Sequence, residues 1–317
     1  MGRRVRLLKD DEELTSWPIH QIDRILIFGR IQVTADTLSL LLSKGVPLCL
    51  FTSKGILRGS LMPAKATNFK LKQKLYELTL SEQGKLTFSR ALVYAKILSS
   101  RAVLQRYQAN HPETKFYSAI NELLEFANNT QTADTLESLR GIEGLAAKTY
   151  FAQWREIFSH PPLAFPGRIR RPPRDPINSL LSFAYVLLTG LIQGMLIAHE
   201  LDPWAGLYHS NVRSAPALTL DIIEQFRQPI ADRYIFYCFH KKIIRPSDFE
   251  TLLNGQVTLK YEAKKKFLVK WEEWLRLAQR FQRNKPKISA IELIHRQIDS
   301  FSSAVLKDFS YMPFILE

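Results

Sequence analysis

Cysteine is scarce in this chain of 317 residues: Cys49 and Cys238 are the two present, and each lies in an apolar run. Two such cysteines supply neither a disulfide framework nor a thiolate metal site. The sequence also lacks a glycine-rich phosphate loop, a dinucleotide fingerprint, an HExxH motif and a G-x-S-x-G motif. These absences remove the main support for nucleotide hydrolases, dehydrogenases, zinc proteases and α/β-hydrolases. No apolar segment follows the basic N-terminus, so we expect a cytoplasmic protein without an export signal.

Acidic residues are in deficit as well. The 30 Asp and Glu residues against 44 Lys and Arg residues give a formal net charge of +14. Such an excess of positive charge favours a polyanionic partner, either nucleic acid or an anionic membrane surface. Hydrophobic residues make up 46% of the chain. That content can form a sizeable core in roughly two domains.

One apolar segment raises the possibility of a membrane span. From Ile177 to His199 the sequence contains no Asp, Glu, Lys or Arg, and the segment is long enough to cross a bilayer. However, it contains several polar side chains, and Gly190 and Gly194 interrupt it. We therefore expect a central helix of a soluble protein, buried by its neighbours, with the glycines allowing other helices to pack closely.

The pattern of apolar residues changes near Pro63. Before it, short runs rich in β-branched and aromatic residues are separated by glycines, and the segment ADTLSLLLSKG has a helical pattern. After it, apolar residues recur at helical spacing through to the C-terminus. The sequence thus predicts an α+β, mainly α protein: a β-rich N-terminal domain at residues 1–65 and a larger all-α catalytic domain at residues 66–317.

Two basic segments are candidates for contacts with nucleic acid. The first is the proline-rich loop from Pro161 to Pro176, which lies between two predicted helices and is either a solvated connector or a rigid phosphate-contacting loop. The second lies between Gly255 and Lys287, where aromatic residues alternate with charges; we expect these aromatics to belong to the core. The predicted nucleic-acid contacts are Arg168, Arg170, Arg171, Arg174, Arg227, Lys264, Lys265 and Lys266.

A set of carboxylates and one histidine could carry chemistry. Glu143 lies in a helical pattern between Gly141 and Gly144, and such small neighbours leave room for a ligand or DNA strand, although the glycines could equally serve helix packing. Asp221 and Glu224 are three residues apart, which puts them on one helix face. Arg227 follows Glu224 at the same spacing, so a surface ion pair is the simpler interpretation.

His209 precedes this acidic pair in a predicted loop. Glutamate, histidine and aspartate without cysteine form an oxygen-rich ligand set that suits Mg²⁺ or Mn²⁺. In a basic protein, such a site suggests phosphodiester chemistry. Composition and spacing lead no further than a basic protein with a candidate divalent-metal site.

Four motifs in series resemble the CRISPR-associated integrase family. The segment IFGRIQVTADTLSLLLSKGVPLCLFTSKGILRGSL is similar to the N-terminal domain of that family. Its three helical-domain motifs are similar to LRGIEGLAAKTYF, RPPRDPINSLLSFAYVLL and GLYHSNVRSAPALTLDIIEQFRQPIAD. The resemblance implies metal ligands at Glu143, His209 and Glu224, with Asp221 as the neighbouring acidic position among the catalytic residues. Many members have Asp where this chain has Glu224.

The resemblance also implies a reaction and partners. A homodimer with a small ferredoxin-like adaptation partner would capture a DNA fragment. Its 3′-hydroxyl would then be joined to a CRISPR repeat by transesterification with Mg²⁺ or Mn²⁺. Similar proteins begin with further strands that help to pair the dimer, so the present N-terminus suggests either diverged strands or the integrase part of a longer fusion, for example with a reverse transcriptase. The alternatives are a metal-dependent nuclease acting on branched or single-stranded DNA in repair, and a non-catalytic DNA-binding scaffold.

Overall fold

The computed structural model describes residues 3–22, 24–52, 57–63, 68–161, 163–169, 172–209, 215–307 and 310–317. A small β-rich part is followed by a larger, mainly helical part, which confirms the predicted fold class. Among the described residues, the N-terminal strands end at Leu61 and the long helices begin at Phe69. The predicted domain boundary at residue 65 falls between the described ranges and stays a prediction.

The N-terminal part contains two small sheets. Strands β1 (Arg4–Lys9) and β2 (Glu12–Pro18) form an antiparallel hairpin. Its turn residues, Asp10 and Asp11, both have positive φ, a conformation that Asp tolerates better than most residues. The second sheet has the order β3-β4-β5, with β3 (Ile25–Phe28) parallel to β4 (Leu48–Phe51) and β4 antiparallel to β5 (Leu57–Leu61).

Helix α1 (Ala35–Ser43) connects the two parallel strands, as the helical pattern of that segment predicts. The Thr34 side chain caps it by accepting from the Thr37 backbone N–H. Leu41 of this helix packs with Ile27 and Leu48 in a small core of the N-terminal part.

The helical part shares one large hydrophobic core. Ser, Thr, Asp or Asn side chains cap several of its helices, so that free backbone N–H groups in the first turn are satisfied. The helices are α2 (Phe69–Leu80), α3 (Glu82–Asn110), α4 (Tyr117–Asn129), α5 (Leu136–Ile157), α6 (Pro176–Ala198), α7 (Ala217–Ile223), α8 (Arg233–His240), α9 (Tyr261–Arg276) and α10 (Ala290–Leu306).

Helix α6 is the apolar segment that could have crossed a membrane. In its most apolar stretch, 72% of the residues are buried inside the protein, which matches the predicted central helix. One of its glycines has a different role from the helix packing that the sequence led us to expect. At Gly194 the near neighbours are Leu26 and Cys49 of the N-terminal sheet, and an added Cβ would lie 3.0 Å from Leu26 Cδ2. This glycine therefore lets a sheet, rather than another helix, approach α6.

A short hairpin interrupts the region that the sequence pattern assigns entirely to helices. Strands β6 (Phe249–Thr251) and β7 (Val257–Leu259) pair antiparallel. The Asn254–Gly255 dipeptide between them is a hairpin turn signal, and Gly255 has φ +75°. The Val257 N–H donates to the Pro173 carbonyl, so the hairpin is attached to the proline-rich loop.

Candidate active site

Glu143 lies on α5 and makes two strong polar contacts. One carboxylate oxygen accepts from the Lys96 ammonium of α3, and the other accepts from the Tyr208 hydroxyl at 2.6 Å. Burial alone would raise the pKa of Glu143, but the Lys96 charge and the hydrogen bonds from Lys96 and Tyr208 together lower the pKa. Glu143 is therefore ionised near neutral pH.

Glu224 follows the end of α7 and shares the same lysine. Its Oε2 lies 2.6 Å from Lys96 Nζ, and its Oε1 lies 3.1 Å from Arg227 Nη2. Burial opposes ionisation, but the charges of Arg227, Lys96 and His209 lower the pKa of Glu224 to about 2. The predicted pair with Arg227 is present, but it is buried rather than on the surface.

Asp221 has a different task from Glu224. Its fully buried carboxylate accepts the backbone N–H groups of Leu207, Tyr208 and His209, and it also contacts His209 Nδ1 at 2.8 Å. These contacts fix the backbone before His209 and the orientation of its ring. Because Nδ1 is engaged, Nε2 is the ring nitrogen left for a ligand or a proton. Asp221 is accordingly a positioning residue.

Lys96 and Tyr208 are functional candidates that the sequence reasoning missed. Lys96 is the single charged residue between Arg90 and Arg101 in the apolar middle of α3. Its side chain is 11% exposed, and two carboxylates raise the pKa of Lys96 against the opposing effect of burial. A lone lysine within an apolar helical pattern was the available signal. For Tyr208 the sequence offered no signal other than its position next to His209.

A second buried polar cluster lies close behind Glu143. The Asp232 carboxylate accepts from the Tyr150 hydroxyl at 2.9 Å and from the Tyr185 hydroxyl at 2.6 Å. Burial raises the pKa of Asp232 to about 6 despite these bonds. Asp232 ends a π-helical turn, Arg227–Asp232, a rare geometry that is frequent at functional sites.

A cavity of about 30 Å³ connects the two clusters. Lys96, Glu143, Arg168, Tyr185 and Arg227 are among its lining residues. The cavity thus places three cationic side chains next to one candidate metal ligand. This positive charge favours an anion, and the volume admits an oxygen-sized group rather than a whole phosphate.

The side chains of the site offer donors for a divalent cation, but a lysine now lies between them. Within the described ranges, no group of three His, Cys, Asp or Glu side chains is arranged to hold a metal ion as it stands. Instead, the Lys96 ammonium supplies the positive charge between Glu143 and Glu224. Glu224 Oε2 is buried and accepts no well-directed hydrogen bond despite its short contact with Lys96. This oxygen, the Glu143 carboxylate and His209 Nε2 fit Mg²⁺ or Mn²⁺ chemically.

The predicted nucleic-acid contacts occupy different settings. Arg168 is partly buried and donates to Asn178 Oδ1 at 2.7 Å, so this residue of the loop faces the helical part rather than solvent. Arg174, Lys265 and Lys266 are exposed, and Lys264 lies over the Phe183 ring. Arg170 and Arg171 lie outside the described residues. The aromatics Phe267, Trp271, Trp274 and Phe281 are buried in the core, as expected.

Curated relatives match nearly the whole chain. The family model described as "CRISPR associated protein Cas1" matches residues 1–273. A CRISPR-associated endonuclease Cas1 of Chlorobaculum tepidum is 32% identical over 278 residues, which cover 86% of this chain and 81% of that protein. Another, from Thermus thermophilus, is 30% identical over 318 residues, which cover 99% of this chain and 95% of that protein.

Solved structures share the fold. A Cas1 protein from Thermotoga maritima has a TM-score of 0.79 at 20% identity, covering 100% of this chain and 95% of that one. A casposase bound to an integration product has a TM-score of 0.78 at 21% identity, and the match covers 96% of this chain and 85% of the casposase chain. A chain of a partial Cas6-RT-Cas1–Cas2 complex has a TM-score of 0.75 at 22% identity, and the match covers 99% of this chain and 94% of that one. The predicted resemblance is confirmed, and the chain belongs to the Cas1 family of CRISPR-associated proteins.

Proposed function

We propose that this chain is a metal-dependent DNA integrase and endonuclease of CRISPR adaptation. It joins the 3′-hydroxyl of a captured DNA fragment to a phosphodiester of a CRISPR repeat by transesterification. The observation that carries the proposal is that Glu143 of α5 and Glu224, which follows α7, both contact one buried lysine. His209 is close enough to lower the pKa of Glu224. The relatives named endonucleases support the same reaction class.

Each residue of the site has a proposed role. Glu143, His209 and Glu224 would hold Mg²⁺ or Mn²⁺, which stabilises charge on the phosphate and makes the attacking hydroxyl more acidic. Asp221 holds the His209 ring through Nδ1, which would leave Nε2 for the metal. The Tyr208 hydroxyl fixes the Glu143 carboxylate. Arg168 and Arg227, which line the adjacent cavity, would bind nonbridging phosphate oxygens.

The DNA backbone would be bound by exposed cations. Arg174, Lys265 and Lys266 project from the proline-rich loop and from α9. The hydrogen bond from Val257 to Pro173 connects these two regions through the β6–β7 hairpin. Together with the net charge of +14, this arrangement supports a salt-dependent, largely sequence-independent contact with phosphates.

The partners follow from the same assignment. We propose a cytoplasmic homodimer that acts on both a DNA fragment and a CRISPR repeat together with a small ferredoxin-like adaptation partner. The structurally similar chain in the Cas6-RT-Cas1–Cas2 complex supports a role within such an assembly. That complex also keeps an associated or fused reverse transcriptase among the candidate partners.

A hydrolytic activity is the second candidate. The relatives carry the name endonuclease, and the same carboxylates could serve attack by water on branched or single-stranded DNA during repair. A scaffold that binds DNA without reacting is the remaining alternative. The three functions differ in their products: joined strands, cleaved strands or none.

A strand-transfer assay separates them. The reaction contains a labelled duplex with free 3′-hydroxyls, a plasmid with a CRISPR repeat, Mn²⁺ or Mg²⁺, and the adaptation partner present or absent. We expect joined product that EDTA abolishes and that Glu143→Gln lowers by more than about 100-fold. His209→Ala and Glu224→Gln should behave alike, and duplex binding should persist in all three.

Glu137→Gln is the matched control, because Glu137 is an exposed glutamate on the same helix. It should leave strand transfer unchanged. Cleavage without joining would favour the nuclease. Binding without any metal-dependent product would favour the scaffold.

A further inference from the structure

A large groove lies on the other side of α3 from the candidate active site. Its volume is about 890 Å³. Lys96 and Ser100 line the small cavity next to Glu143, whereas Leu98, Arg101 and Gln105 line the groove. At 100° per residue, Leu98 and Gln105 point roughly opposite to Lys96. The groove is therefore separate from the reacting groups.

The walls of this α3 groove are held by hydrogen bonds. The C-terminal segment, residues 312–317, forms one wall. Its Phe314 N–H donates to Gln225 Oε1 at 2.7 Å, and its Leu316 N–H donates to Ser99 Oγ at 3.1 Å. The other walls come from α3, α10 and residues 282–288. The groove is thus preformed, and a ligand would not have to order it.

Aliphatic side chains cover much of the groove surface. Leu98, Ile288 and Ile315 are half-buried and line it, and Met312 at the rim is 80% exposed. Among the described lining residues, Phe314 is the single aromatic ring, and it is only 5% exposed. Bases of single-stranded DNA need accessible rings for stacking, so this surface favours aliphatic side chains over bases.

The charges around the groove are mainly positive. Its lining contains Arg101, Arg283, Lys285 and Arg296, against the single acidic residue Glu317. Arg283 and Lys285 are exposed. An occupant that complements this lining would combine apolar side chains with negative charge.

We propose that the α3 groove binds an acidic segment of a partner protein through aliphatic side chains on the floor and carboxylates at the cationic rim. Complementary charge would direct the segment to the groove, and burial of its aliphatic side chains would hold it there. The groove would thereby connect the chain to another protein without obstructing the DNA site.

Fluorescence anisotropy with the full chain tests the proposal. The probes are a labelled peptide of alternating leucine and glutamate, the same peptide with lysine for glutamate, and labelled oligothymidine. We expect the leucine–glutamate peptide to bind and Lys285→Glu to weaken it at least about fivefold. Met312→Ser, which removes apolar surface at an exposed position, should also weaken it.

Lys287→Glu is the matched control. It makes the same change of charge two residues away, at an exposed lysine that does not line the groove. Equal weakening by Lys285→Glu and Lys287→Glu would show general attraction to a basic protein and overturn the proposal. Absence of peptide binding, or oligothymidine binding that responds to Lys285→Glu while peptide binding does not, would overturn it as well.

Discussion

Lys96 Nζ lies 2.6 Å from Glu224 Oε2 and also donates to Glu143, so one buried ammonium bridges a carboxylate of α5 and a carboxylate just beyond α7. Without it, Glu224 would keep Arg227 as a cationic partner, whereas Glu143 would keep the hydrogen bond from the Tyr208 hydroxyl. A divalent cation held by the same carboxylates would supply positive charge at the same place. Lys96 and the metal are therefore expected to compete for one position.

Lys96→Met tests this competition. The variant should lose about 3–5 kcal/mol of unfolding free energy without metal, because the largely buried Glu143 loses its cationic partner and Glu224 keeps only Arg227. Mn²⁺ should raise its melting temperature more than that of the unchanged protein, and calorimetry should show tighter Mn²⁺ binding. Lys85→Met is the control, because Lys85 lies on the same helix and pairs with the exposed Glu82. An equal response to Mn²⁺ in the variant, the control and the unchanged protein would contradict the competition.

Asp221→Asn tests the positioning of His209. Asparagine keeps the shape but weakens the contact with Nδ1, so Mn²⁺ affinity and strand transfer should fall by about 10–100-fold. Electron paramagnetic resonance of bound Mn²⁺ measures the affinity independently of activity. Asp299→Asn is a control at another histidine–aspartate pair, since Asp299 contacts His199 at 3.2 Å and is exposed. Unaltered Mn²⁺ affinity in Asp221→Asn would count against a role in orienting a metal ligand.

Gly141→Ala and Gly144→Ala distinguish the two interpretations of the glycines around Glu143. An added Cβ at either position meets no atom within 4 Å, so helix packing does not require them. Each alanine should raise the unfolding free energy by about 0.5–1 kcal/mol, because it lowers the backbone entropy lost on folding. If DNA approaches this surface, strand transfer should nevertheless decrease. If the alanine variants are more stable and keep full strand-transfer activity, then the space beside Glu143 is not needed for DNA to approach.

Asp232→Asn tests the buried carboxylate behind the site. The folded-state pKa of Asp232 is raised from 3.8 to about 6, so folding is favoured most when this group is protonated. The contribution of Asp232 to the free energy of unfolding is greatest below pH 3.8 and is lost as the pH rises through 6. The tyrosines Tyr150 and Tyr185 and the cations Arg168 and Arg227 face it.

The unfolding free energy of the unchanged protein should therefore fall by about 1 kcal/mol between pH 5 and pH 7 because of Asp232, and that of Asp232→Asn should not show this fall. Urea unfolding at the two pH values measures the difference. Asp134→Asn removes one exposed carboxylate and should retain the pH dependence of the unchanged protein. An identical pH dependence in Asp232→Asn would mean that the carboxylate is not held in its protonated form.

Local patterns predicted much of the fold. The helical spacing of apolar residues located the long helices, and the uncharged segment from Ile177 correctly indicated a buried central helix. The β6–β7 hairpin was missed, although its Asn254–Gly255 turn was present in the sequence. Its strands have only three residues each, which is too short for a period-2 pattern to stand out.

The motifs and the basic composition were enough to identify Glu143, His209, Asp221 and Glu224 as the residues that could carry chemistry. Their different contacts became visible in the folded chain. Folding turned Asp221 toward the His209 ring and left Glu224 facing Lys96. Spacing along one helix determines which residues share a face, but it does not determine the distance between α3, α5 and α7. Those distances follow from side-chain packing in the core, which brings Lys96 to two carboxylates far from it in the sequence.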